Sequence, residues 1–212
     1  MRPAGNANRR LARRTSQLFA GLVLYGAGMA LMIESRLGLT SWDVFHQGLS
    51  QVTGLSFGLV VILLGIPILL LWIPLRQRPG FGTVANLVVI GFVVDGALAI
   101  VPDAPLWVRV CYLVSGILVI GIGTGLYIGA RMGPGPRDGL MTGIVARFPR
   151  LSIRLVRTVL ELTVLGLGWL LGGTVGLGTL AFALSIGPLA QLFIPMFTVP
   201  AEDGAPAPVS AH

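Results

Sequence analysis

Long apolar stretches separated by short polar or glycine-rich breaks dominate the chain. Six of them run at about 16–34, 56–74, 82–101, 107–130, 152–172 and 178–199. Each approaches the ~20 residues that an α-helix needs to cross a hydrocarbon core, and a helix satisfies its own backbone groups in lipid. The pattern predicts an all-α membrane protein with six transmembrane helices. Two breaks are too long and too polar to be simple turns: "RLGLTSWDVFHQGL" after the first run and "RMGPGPRDGLMTGI" after the fourth. Each predicts a short amphipathic or re-entrant segment, the first opened by Ser41 or Thr40 as cap and the second by Pro136 in its first turn.

The two breaks are copies of one another. At a shift of 95 positions Gly26, Gly28, Ile33, Arg36, Gly38, Asp43 and Gly48 fall on Gly121, Gly123, Ile128, Arg131, Gly133, Asp138 and Gly143. At a shift of 96, Leu55-Ser56 falls on Leu151-Ser152, "GFGT" on "GLGT" and Ile90-Gly91 on Ile186-Gly187. An internal repeat sets the architecture before any single residue is weighed. Each unit holds three crossings, an odd number, so the second copy should enter the membrane in the opposite sense. That predicts two inverted-topology three-helix repeats. The expected organisation is a cytoplasmic basic tail at 1–15, membrane repeat 1 at 16–101, membrane repeat 2 at 102–199 and a disordered cytoplasmic tail at 200–212.

Composition agrees with lipid as the solvent. Hydrophobic residues make up 54% and charged residues 11%, where soluble domains carry roughly a quarter charged, and mean hydropathy is +0.86. The net charge of +7 comes from fifteen basic residues, all of them arginine. They sit at the ends of the apolar runs rather than in one aromatic-interleaved patch, so they read as topology signals and not as a nucleic-acid surface. Thirteen fall on the side that holds both termini, and only Arg36 and Arg109 on the other. The bias predicts that both termini are cytoplasmic. The first apolar run is longer than a signal-peptide core and has an internal copy, so it is expected to be retained.

The order R-x-G-x-x-x-x-D, then Pro79, Gly80, Gly82, Thr83 and Asn86, then G-P-R-D-G-L-M and a second G-x-G-T resembles the bacterial YczE/YyaS/YitT family of integral membrane proteins. The YczE branch is the nearest, and the likeness covers roughly residues 16–195. The resemblance implies a multi-pass inner-membrane protein and brings no molecular activity with it.

Candidate chemistry is confined to a few positions. Asp43 and Asp138 either cap interfacial helices, where an acidic group suits the helix dipole, or line a cavity between re-entrant segments. Arg36 stands on the arginine-poor side with Glu34 and Asp43 as partners in reach. Asp95 and its repeat mate Gln191 interrupt apolar runs, and an ionisable group in a membrane segment is a functional candidate by default. Arg157 and Glu161 are placed to pair at i and i+4, where repeat 1 has Val61 and Gly65. Arg137 is a further cation for an anionic group. Gly38, Gly48, Gly133 and Gly143 are the repeat-motif glycines. Gly121, Gly125 and Gly129 form a packing stripe, with a homo-oligomer contact as its other use.

No H-E-x-x-H, G-x-S-x-G or Walker string is present, and His46 beside Asp43 is too little for a metal site. Cys111 stands alone, which excludes an intramolecular disulfide and a cysteine metal cluster. No enzyme activity, cofactor or metal is expected. The leading expectation is a small-molecule or ion permease or exporter in the lipid bilayer, its path built from Asp43, Asp138, Asp95, Glu161, Arg157, Arg36 and Arg137. The alternative is a non-transporting scaffold or accessory subunit of an envelope or biosynthetic complex.

Overall fold

The computed structural model describes residues 4–199, and the predicted tail at 200–212 lies outside them. Eight helices follow one another: α1 (Ala4–Ser35), α2 (Ser41–Thr53), α3 (Phe57–Leu71), α4 (Phe81–Leu98), α5 (Leu106–Gly129), α6 (Pro136–Arg147), α7 (Ile153–Leu170) and α8 (Leu177–Phe197). There is no strand among the described residues. The basic stretch expected as a separate tail is helical from Ala4 and continuous with the first span.

Among the described residues four helices are long and apolar enough to cross a membrane: α1 over Arg9–Ser35, α4, α5 and α8. The number rises to five if α2 and α3, bent by 110° across a short break, count as one broken span. The sequence pattern predicted six. The difference has two physical sources. At 15 residues, α3 reaches about 22 Å at 1.5 Å per residue, short of the ~30 Å hydrocarbon core. In α7, Arg154, Arg157 and Glu161 interrupt an otherwise apolar helix.

The centre is α1 crossed by α5 in antiparallel fashion. Arg14 near the start of α1 donates through Nε to the Ala130 carbonyl at the end of α5, at 2.8 Å. Arg109 near the start of α5 donates in the same way to the Ser35 carbonyl at the end of α1, at 2.7 Å. Each arginine thus satisfies a carbonyl that the helix terminus leaves without an intrahelical partner. Glycine makes the crossing close: a methyl group on Gly28 would lie 2.9 Å from the Gly116 carbonyl oxygen, and one on Gly123 2.8 Å from that of Gly21. The stripe of Gly121, Gly125 and Gly129 packs on Leu189, Phe193 and Phe197 of α8. That face is therefore filled within the chain rather than free for a second copy.

Equivalent positions of the two copies make equivalent contacts. Arg36 and Arg131 both leave their helix at positive φ, +52° and +53°, followed by Gly38 and Gly133 at +126° and +129°. A side chain at either glycine would be strained and would also press on a threonine: Thr179 Oγ1 in the first case and Thr83 Oγ1 in the second, each at 2.8 Å. The exchange is reciprocal between copies. Gly178 N–H donates to the Leu37 carbonyl at 2.7 Å, and Gly82 N–H to the Met132 carbonyl at 2.8 Å. The loop of each copy thus docks on the last helix of the other. The same swap appears in the short helices: α2 packs on α7 while α6 packs on α3. Gly48 fits against Gly168 and Leu171, and Gly143 against Leu75 and Gln77.

Candidate functional site

The residues before α2 and α6 turn both helices into the protein. Thr40 accepts from Asp43 N–H at 3.2 Å and caps α2, and Pro136 opens α6 where its missing N–H costs nothing. The consequence is that the two copied motifs meet. Trp42 and Arg137, mates at the 95-residue shift, stack with the guanidinium 5.0 Å from the indole centroid. Arg137 Nη2 also lies 3.5 Å from Asp43 Oδ1. Asp43 is 2% exposed. Its carboxylate accepts from Thr40 Oγ1 at 2.7 Å and has His46 Nδ1 at 3.3 Å. Its charge is thus held by an arginine of the other copy and two neighbours on its own, as a buried carboxylate requires.

Around this contact lies a cavity of about 440 Å³. All eight helices or their caps contribute to its wall. Polar groups come from Ser41, His46, Asn86, Thr124, Tyr127 and Asp138, and α8 supplies Phe182, Ala183, Ile186, Ala190 and Ile194. The volume lies within the ~300–1,000 Å³ of small-molecule sites, which also combine apolar walls with a few polar groups. Asp138 accepts from the Tyr127 hydroxyl at 3.1 Å and is exposed to the cavity, unlike its buried mate Asp43. Trp42 also lines the cavity, and its indole N–H is buried with no hydrogen-bond partner among the described residues.

The expected site residues divide into two groups. Asp138, Arg137, Arg157 and Glu161 line the cavity, and Asp43 stands just behind Arg137. Arg157 Nε donates to Glu161 Oε1 at 2.9 Å, the i and i+4 pair expected from sequence. Asp95 and Arg36 lie outside the lining. Asp95 Oδ1 accepts from Gly58 N–H at 2.7 Å and Oδ2 from Ser56 Oγ at 2.6 Å. It therefore caps the N-terminus of α3, where a helix offers free donors and favours negative charge. Its mate Gln191 is exposed on α8 and also absent from the lining. Arg36 is exposed and pairs with Asp103, with Glu34 at 4.0 Å and no contact to Asp43. Among the lining residues that the sequence did not single out for the path are Trp42, His46, Tyr25 and Tyr127. The repeat register held the clue for one of them, since it sets Trp42 opposite Arg137.

An all-helical chain with several apolar spans and polar breaks meeting inside it defines a multi-pass membrane protein. It belongs to a family of unknown function, DUF6198, whose model matches residues 12–195. It is similar to an uncharacterized protein of Haemophilus influenzae, 43% identical over 84% of this chain and 82% of the relative. It is also similar to the uncharacterized membrane protein YczE of Bacillus subtilis, 34% identical over 87% of each chain. The uncharacterized protein YyaS of the same organism is 28% identical over 83% of this chain and 90% of its own length. No solved structure matches the chain.

Proposed function

We propose that the protein is a permease or exporter-like carrier of a small molecule or ion in the bacterial inner membrane, built from two inverted three-crossing repeats. The antiparallel α1 and α5 and the reciprocal loop contacts support the inversion. In this reading α3 and α7 complete the six crossings as a short and a charged span, and the arginine bias keeps both termini cytoplasmic. The observation that carries the reading is the cavity: polar groups of both copies converge on a space inside an otherwise apolar bundle. Polar and ionisable groups at membrane depth are costly and are retained where they line a path. Rocking one repeat against the other would open the cavity to each face in turn, a mechanism that rests on architectural analogy.

The protein acts as a carrier rather than an enzyme in this account. Asp138 binds the transported species, and Asp43 with Arg137 holds the two repeats in register. The test is flux of a panel of radiolabelled solutes into liposomes carrying the purified protein. Asp138→Asn should abolish any flux that the parent shows while the thermal unfolding temperature stays within a few degrees. Full flux in both Asp138→Asn and Glu161→Gln would contradict the proposed path. No flux for the parent, with a protein partner captured through its outer helix faces, would favour the scaffold or accessory-subunit class.

A further inference from the structure

The two copies differ in one wing. In the first, α3 and α4 are closed against each other: a methyl group on Gly58 would strike the Gly91 carbonyl, and one on Gly65 would strike Leu87. Leu87 and Ile90 are buried there, at 7% and 4% exposure. In the second, α7 packs on α2 and α6, α8 packs on α5, and the two share no packed face. The register explains the opening. Gly58 is replaced by Arg154, Gly65 by Glu161 and Leu87 by Ala183, so the glycine notches are gone and the leucine plug is missing. Gly187, the mate of buried Gly91, is exposed, and a methyl group on it would meet nothing within 4 Å.

The gap lies at mid-height of both helices. Glu161 is eight residues into α7 and Gly187 ten residues into α8, about 12 and 15 Å along their axes. In the six-crossing arrangement proposed above, a gap at that depth faces the bilayer interior rather than water. It leads into a cavity whose α8 wall is largely apolar, whose α7 wall carries Arg157 and Glu161, and whose other polar groups come mainly from α2, α5 and α6. Charge accounting then selects the guest. Arg137 faces Asp43 and Arg157 faces Glu161. Asp138 is exposed to the cavity and forms no ion pair among the described residues. With Asp138 ionised, three carboxylates stand against two guanidiniums. Tyr25 and Tyr127 stand around the same space, and aromatic faces attract cations, while the Trp42 ring already carries Arg137.

We infer that the cavity takes an amphiphile with one positive charge, admitted from the bilayer between α7 and α8, its cationic centre neutralising Asp138 and its apolar body lying on α8. The inference deepens the carrier reading and rests on it.

The probe is radiolabelled tetraphenylphosphonium, binding to the protein in nanodiscs. Saturable binding is expected, weakened at least tenfold in Asp138→Asn, with Asp95→Asn as a control outside the cavity that leaves it unchanged. A photoreactive benzoylphenylalanine at Ala183 should form adducts with bilayer lipid, and tetraphenylphosphonium should suppress them. Absence of saturable binding, or equal binding to the Asp138→Asn variant, overturns the assignment of a cationic guest. Adducts at Ala183 that join two copies of the chain, or none to lipid, overturn the lateral route. The carrier reading is judged separately through Ser41→Cys in a Cys111→Ala background, which puts the one thiol on the cavity wall. If a water-soluble thiol reagent reaches it while both other results fail, the lateral cation proposal falls alone. If the reagent is also excluded, the carrier reading falls with it.

Discussion

Asp43 and Arg137 are 94 positions apart, and their contact is what turns two copied motifs into one site. Removing the cation by Arg137→Gln leaves a carboxylate that is 2% exposed with only Thr40 and His46. Two unit charges at the observed 3.5 Å attract by about 5 kcal/mol at an effective dielectric constant of ~20. Arg137 keeps 24% of its side chain exposed and Asp43 keeps its other partners, so a net coupling of ~2–3 kcal/mol is expected, within the range found for close charge pairs. The single substitution should cost about 3 kcal/mol, at the low end for breaking a buried pair. The assay is reversible unfolding in mixed micelles of dodecyl maltoside and sodium dodecyl sulfate, on the parent, Arg137→Gln, Asp43→Asn and the double variant. The double variant should be more stable than the sum of the singles predicts, by those ~2–3 kcal/mol. Additivity to within ~0.5 kcal/mol, as for independent sites, would show that the two motifs are not energetically joined.

Other substitutions test separate parts of the account. Gly139→Ala would drive a methyl group into the Trp72 ring and should destabilise by at least ~1–3 kcal/mol as overpacking does; Gly187→Ala, in open space, should be near neutral, and the two melting temperatures decide it. Asp95→Ala strips the N-terminus of α3 of its acceptor, so it should lower stability by ~1–3 kcal/mol without weakening tetraphenylphosphonium binding. Gly38→Ala and Gly133→Ala should each cost more than ~1 kcal/mol because both demand a positive φ, and similar losses for the pair would fit equivalent roles in the two copies. Arg14→Gln and Arg109→Gln should likewise give matching small losses of about 1 kcal/mol, read by the same unfolding titration.

Much of this arrangement is legible in the sequence, because periodicity and repetition are local signals. The starts of α2 and α6 follow from Thr40 and Pro136, and the Arg157–Glu161 pair follows from helical spacing. The span count is not legible in the same way, because apolar content does not reveal that α3 ends at Leu71, and the charges that fall within α7 do not break its apolar run. Asp95 reads as a polar group in the middle of a run, yet α4 carries it to the start of α3, where Ser56 and Gly58 supply donors. Arg36 faces Asp103 and not Asp43, a pairing set by a loop whose path no periodicity encodes. The meeting of Asp43 with Arg137 was open in the same way: equivalence under the repeat does not say whether two motifs lie on opposite surfaces or touch. The loops before α2 and α6 dock on the last helix of the other copy through the Leu37 and Met132 carbonyls, contacts that no local signal encodes.

A carrier requires that water reach the space between the repeats from both faces in turn. A Ser41→Cys variant in a Cys111→Ala background places one thiol on the cavity wall. It should react with a membrane-impermeant thiol reagent both in right-side-out and in inverted vesicles, and more slowly when tetraphenylphosphonium is present. Failure of the reagent to reach it from either face, in protein that folds and inserts normally, would contradict a carrier and leave the cavity as a sealed structural feature.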